Sequence, residues 1–85
     1  MKIVFHRNFE KQYKKLRLAE KKRFKQRKDI FLQNPYHPLL NNHPLRGKYK
    51  GYRSLSIGGN LRAVYELIDD EVAYFVAIDT HSKLY

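Results

Sequence analysis

A single α+β domain with its helices packed on one face of a sheet is the fold class this sequence predicts, and three observations carry the expectation. Two runs of strand-forming residues in the stretch Gly51 to Ile68 flank Gly58-Gly59-Asn60, a cluster that tolerates positive φ and suits a tight turn between antiparallel strands. Phe9, Tyr13 and Leu16 fall at i, i+4 and i+7, one helical stripe in the first half of the chain. All three prolines, Pro35, Pro38 and Pro44, gather in the segment that separates the helical half from the extended half.

Taken in order, Lys2 to Phe5 reads as a short strand. Asn8 is the expected N-cap of a first helix over about Phe9 to Leu18. A second helix over about Ala19 to Gln33 presents Phe24, Phe31 and Leu32 as its apolar contacts, with a tight joint expected near Leu18 to Glu20. Asn34 to Pro44 is a loop that delivers the chain to the sheet. The hairpin follows, Asp69-Asp70 makes a second turn, and Val72 to Asp79 is the most apolar strand, which places it in the sheet interior. The order is β-α-α-β-β-β: a strand, a helical hairpin and an antiparallel three-stranded meander, in one domain over residues 1–85.

Composition narrows the function classes. With no cysteine, disulfides and thiolate zinc sites are excluded, and His6, His37, His43 and His81 lack the HxxxH-type spacing of a metal site, so neither a metal nor a small-molecule cofactor is expected. The longest apolar run, Val72 to Ile78, is far short of the ~20 residues of a membrane-spanning helix, and Ile3-Val4-Phe5 before His6-Arg7 does not make a signal peptide. A soluble cytoplasmic protein, without a membrane partner, is expected.

Eighteen Lys and Arg stand against eight Asp and Glu. Residues 1–33 hold twelve of the basic and three of the acidic side chains, a balance of +9, and the remainder of the chain carries only +1. So dense a field points to a polyanionic partner, nucleic acid first. Within the hairpin, Arg53 and Arg62 lie among apolar and small residues and need an anion or open water. A surface pair with Glu66 or Asp69 is the plain alternative for Arg62.

The chain resembles the RelE/ParE superfamily of toxin-antitoxin toxins over essentially its whole length. The resemblance rests on the order of elements, the linker end His43-Pro44-Leu45-Arg46-Gly47, the strands Gly51-Tyr52-Arg53 and Leu61-Arg62-Ala63-Val64-Tyr65, and the ending Thr80-His81-Ser82-x-Leu84-Tyr85. It is closest to the YafQ branch, whose ending reads Gly-Thr-His-x-x-Leu-Phe. That resemblance implies a RelE-like fold and a ribosome-dependent, metal-independent mRNA endonuclease, in which a 2′-hydroxyl attacks the adjacent phosphate to leave a cyclic phosphate and a free 5′-hydroxyl. It also implies a cognate acidic antitoxin, with the ribosome and mRNA as further partners.

Carried over by position, His43 and His81 match active-site histidines, Tyr85 the terminal aromatic, and Arg62 an arginine at the scissile phosphate. Arg53 matches a basic strand residue, and RNA contacts are expected there and, from the basic charge, on Arg46, Lys48, Lys50 and the helix residues Lys21, Lys22 and Lys25. The chemistry suits these types. Imidazole serves as base or acid near neutrality, a guanidinium grips two phosphate oxygens, and a tyrosine stacks on a base. Three positions depart from the branch: Ser56 replaces a histidine, Asn60-Leu61 an Asp-Trp pair, and Ala77 an arginine. Those departures keep open a second expectation, a ParE-like toxin that blocks a protein such as DNA gyrase and cuts nothing.

Overall fold

The structure is a computed structural model and describes residues 1–84. Five strands form one sheet: β1 (Lys2–Phe5), β2 (His43–Pro44), β3 (Arg53–Gly58), β4 (Leu61–Ile68) and β5 (Val72–Thr80), in the order β1-β5-β4-β3-β2. β5 lies between β1 and β4, as its apolar character requires. β1 runs parallel to β5, and the other pairings are antiparallel.

Helices α1 (Arg7–Lys14) and α2 (Leu18–Gln33) cover one sheet face. Phe9, Phe24 and Phe31 from the helices meet Leu55, Ile57, Tyr65 and Phe75 from the sheet in one buried cluster. The aromatic rings interlock: Phe31 lies edge-on to Tyr65 at 5.1 Å, and Tyr65 stacks on Phe75 at 5.2 Å. The opposite face has a smaller cluster of Val64 and Ala77, closed by Leu84 of the terminal helix α3 (His81–Leu84).

Several boundaries differ from the sequence reading, each for a local reason. His6, not Asn8, caps α1: its Nδ1 accepts the Asn8 N–H at 2.9 Å. Asn8 instead donates to the Val76 carbonyl at 3.0 Å, and Gln12 Oε1 accepts the Ile78 N–H at 2.9 Å. These two side chains of α1 satisfy the edge of β5 beyond Phe75, where β1 has ended. The helical joint lies at residues 15–17, earlier than expected, because the Arg17 N–H is bound by Glu20 Oε1 at 2.9 Å, which starts α2 at Leu18. His43-Pro44, expected as the end of a loop, pairs with β3 as a fifth strand, and residues 81–84, to which the sequence assigned no element, turn helical.

Two bulges shape the sheet. The β3–β4 register steps between Ser56 and Gly58, leaving Ile57 as the extra residue. In the β4–β5 ladder Val64 faces Ala77 but Tyr65 faces Phe75, so Val76 is the extra one.

Candidate functional site

The ladder sets two of the candidate residues, His43 and Arg62, on the face opposite α1 and α2, and a third, His81, follows directly at the end of β5. His43 faces Ser54, Ser54 faces Val64 and Val64 faces Ala77, one row across four strands. The next row on the same face is Ser56, Arg62 and Asp79. His81 begins α3 immediately after β5, with its backbone N–H donated to the Asn60 carbonyl at 2.7 Å. Arg62 converges on the same turn, since its Nη1 donates to the Gly59 carbonyl at 2.8 Å and to the Leu61 carbonyl at 3.0 Å.

These contacts define the chemistry available. The Asn41 carbonyl lies 2.7 Å from His43 Nδ1. A carbonyl only accepts, so Nδ1 carries the proton and Nε2 of the neutral ring presents a lone pair. Asn41 itself is left-handed, with φ 44°, a conformation asparagine tolerates and one that turns its carbonyl back toward the ring. Arg62 is half-buried, and among the described residues its bonds go to carbonyl oxygens and not to Glu66 or Asp69. Its charge is therefore held in place by carbonyl dipoles at Nη1, without an ion pair among the described residues. Asp79 faces Arg62 in the ladder, yet its carboxylate is taken by the Thr80 N–H at 2.7 Å and by Gln12 at 3.4 Å. Ser54 is fully buried beside His43, and among the described residues its hydroxyl lacks a hydrogen-bond partner.

Arg53 is not part of this cluster. It faces Tyr65, on the helix side of the sheet, where its Nε donates to Asn42 Oδ1 at 2.7 Å and its guanidinium lies over the Tyr36 ring at 5.5 Å. Asn42 also donates to Tyr65 Oη at 2.8 Å and to the Pro35 carbonyl at 2.9 Å. Burial raises the Tyr65 hydroxyl above its ordinary pKa near 10, with the Asn42 bond pulling the other way. Arg53 thus braces the loop that carries His43.

The remaining basic candidates divide. Arg46, Lys48 and Lys50 are exposed on the β2–β3 connection, the linker of the candidate face, with the Lys48 ammonium 5.2 Å from the Tyr49 ring. Lys22 and Lys25 are exposed on α2, on the far side of the sheet, and Lys21 rests over the Tyr13 ring at 5.7 Å. Part of the helix charge is internal to the fold. Arg27 donates to the carbonyls of Leu39 and Ser56 at 2.8 and 3.1 Å, and the aliphatic stem of Arg23 packs against Gly58. Tyr85 lies outside the described residues.

Two concavities flank this frame. On the helix side an apolar cleft of about 260 Å³ lies among Phe5, Phe9, Tyr13 and Phe24, edged by Lys14, Lys25 and Lys28 and by Glu10. On the candidate face a groove of about 640 Å³ is lined by Tyr49, Tyr52, Tyr74, His6 and Lys48. Sequence reasoning takes His6 as structural or solvated and gives Tyr52 and Tyr74 no role, and the signal that could have found the two tyrosines is the count of seven tyrosines in a basic chain. Among the described residues no three His, Asp or Glu side chains cluster as metal ligands, and no helix is long and apolar enough to cross a membrane.

Comparison with known proteins agrees over the full length. The family model described as bacterial toxin of type II toxin-antitoxin system, YafQ, matches residues 1–85. The crystal structure of YafQ from E. coli strain BL21(DE3) superposes with a TM-score of 0.77 at 26% identity, covering 98% of this chain and 96% of that one. A chain of the E. coli DinJ-YafQ complex gives a TM-score of 0.73 at 26% identity over 98% of this chain and 96% of its own. The YoeB/ParE toxin from Agrobacterium tumefaciens shares the fold, with a TM-score of 0.78 at 20% identity over 95% of this chain and 99% of its own. No curated protein matches the sequence.

Proposed function

The chain belongs to the YafQ family of bacterial toxins of type II toxin-antitoxin systems, and on that premise we propose that it arrests translation by cutting mRNA on the ribosome. The observation that carries this reading is one sheet face on which a histidine with a fixed tautomer and an arginine held by backbone carbonyls stand in adjacent rows, two strands apart, with a second histidine at the turn the arginine grips.

The reaction needs a base, positive charge at phosphorus and an acid. His43 Nε2 takes the proton of the 2′-hydroxyl. The 2′-oxygen then bonds to phosphorus, and the bond from phosphorus to the 5′-oxygen breaks. Arg62 stabilises the equatorial oxygens as charge builds on them, and the departing 5′-oxygen takes a proton from His81. The products are a 2′,3′-cyclic phosphate and a 5′-hydroxyl. Every bond made and broken is accounted for by these three side chains, and Tyr85 remains the candidate for a substrate contact by resemblance.

The partners follow from the charge distribution. Exposed Lys22 and Lys25 project from the helix side, opposite the cutting face, so ribosomal RNA can be gripped there while the sheet reaches the codon. An antitoxin, as DinJ is to YafQ in the E. coli complex, would present an apolar side chain to the cleft of Phe5, Phe9, Tyr13 and Phe24 and acidic residues to its lysine rim. The test of the chemistry is the identity of the new RNA ends: a cyclic phosphate and a 5′-hydroxyl, formed in the presence of EDTA, support the reading. A 5′-phosphate end overturns it.

A further inference from the structure

The groove on the candidate face has no role in the three-residue chemistry, yet it adjoins it. Ala77 belongs both to the groove floor and to the row that starts at His43. Arg62 is the diagonal neighbour of Ala77 across the β4–β5 ladder, a separation of about 7–8 Å. The groove therefore opens one nucleotide's reach from the arginine. Its shape comes from the Val76 bulge, which brings Val76 and Ala77 to the same side in succession and leaves a shallow floor between the rings of Tyr74 and Tyr52. Tyr52 is pinned at the wall, since the Leu45 N–H donates to its carbonyl at 2.9 Å.

The lining has the chemistry of a single-strand nucleic-acid site. Tyr52 and Tyr74 supply flat apolar faces, Lys48 supplies charge at the rim, and among the described residues none that lines the groove is acidic. His6 adds a directed donor. Its Nδ1 accepts the Asn8 N–H at 2.9 Å, so the neutral ring carries its proton on Nε2. That ring is also fixed edge-on to Tyr74, with centroids 5.7 Å apart at 66°. A volume of about 640 Å³ lies in the range of small-ligand sites and accommodates a nucleoside.

We propose that this groove seats the base that flanks the cut bond in the same RNA strand, stacked against Tyr74 and Tyr52 with its phosphate at Lys48. The inference rests on the nuclease reading for the identity of the strand. The groove makes the toxin sensitive to the nucleotide beside the scissile phosphate while leaving the transfer of protons untouched.

The test uses two readouts. In the first, a short single-stranded RNA with 2′-O-methyl riboses, which cannot be cut, carries 2-aminopurine at one position at a time and is titrated at low salt with the full chain. Stacking should quench the probe at one position only, in wild type and Tyr74→Phe but not in Tyr74→Ala. In the second, cleavage on programmed ribosomes is measured for the same variants. Tyr74→Ala should raise KM about ten-fold or more with kcat within about two-fold, the range expected for loss of one stacked base, and Lys48→Ala should lower the salt slope by about one.

Cleavage with wild-type KM in both Tyr74→Ala and Lys48→Ala, together with uniform quenching along the strand, would overturn the proposal. So would variants that bind RNA normally but lose affinity for the antitoxin, which would make the groove a protein contact. If wild type cuts nothing, yet position-specific quenching still depends on Tyr74, the nuclease reading falls and the groove stands as a nucleotide site.

Discussion

Arg53 Nε donates to Asn42 Oδ1 across 2.7 Å, and the residue after Asn42 is the candidate base His43. Because Asn42 also bonds Tyr65 Oη and the Pro35 carbonyl, the buried sheet core and the proline-rich loop are joined at one side chain. His43 is positioned by that junction.

Asn42→Ala removes three part-buried hydrogen bonds at once. The variant should lose about 1–3 kcal/mol of stability, seen as a lower urea midpoint. Its kcat should fall with little change in KM, because the loss acts on the placement of His43 and not on RNA contacts.

Tyr65 gives a pH dependence with a definite sign. Its folded-state pKa is raised above the unfolded value near 10, so the neutral phenol is the form the fold prefers. The stabilisation is complete below pH of about 10 and is lost as pH rises above that value. Urea midpoints measured at pH of about 9 and about 11 should drop steeply for wild type and less for Tyr65→Phe.

Gly58 has φ +108°, and a Cβ there would sit 3.2 Å from Cδ of Arg23. Gly58→Ala should cost about 1–3 kcal/mol from backbone strain alone, with the contact added. Pairing it with Arg23→Ala should recover only the contact part, which thermal melts of the single and double variants will separate.

His43→Ala should lower kcat by about 10²–10⁴-fold, the usual contribution of a positioned acid or base. The His43 ring is bonded to the neighbouring Asn41 carbonyl, so its removal should leave the urea midpoint within about 0.5 kcal/mol of wild type. Loss of activity accompanied by a large loss of stability would assign His43 to the fold instead.

Raising salt from about 50 to about 200 mM should weaken binding to both ribosome and antitoxin steeply, as counterion release requires for a surface this basic. Charge reversal at Lys22 and Lys25 should reduce that slope. A complex insensitive to salt would mean that apolar contacts at the Phe5 and Phe24 cleft dominate.

Much of this architecture was legible in the residues, and what was not has identifiable causes. The hairpin, the helical stripe and the interior position of β5 follow from periodicity and turn chemistry. The opposition of Arg53 and Arg62 does not. In a regular two-residue hairpin closing at Gly58 and Leu61, Arg53 would face Glu66 and share a side with Arg62. The single extra residue Ile57 shifts the register so that Arg53 faces Tyr65 and turns to the helix side. No local preference marks that bulge; it lets Leu55 and Ile57 both enter the core. The His6 cap was equally hidden, because histidine is a less frequent cap than the Asn8 that follows it. The likeness to known toxins led to His43, His81 and Arg62, while the groove residues His6, Tyr52 and Tyr74 lie far apart in the chain and meet only through the tertiary fold, His6 beside Tyr74 by the parallel β1–β5 pairing.

The most direct measurement of the central claim is primer extension on a defined message in a purified translation system, with wild type beside Arg62→Ala and His81→Ala. New 5′ ends that appear only when ribosomes are present, and that vanish in both variants, are the expected result. Intact message alongside a toxin that still arrests growth would contradict it and direct attention to a protein target such as DNA gyrase.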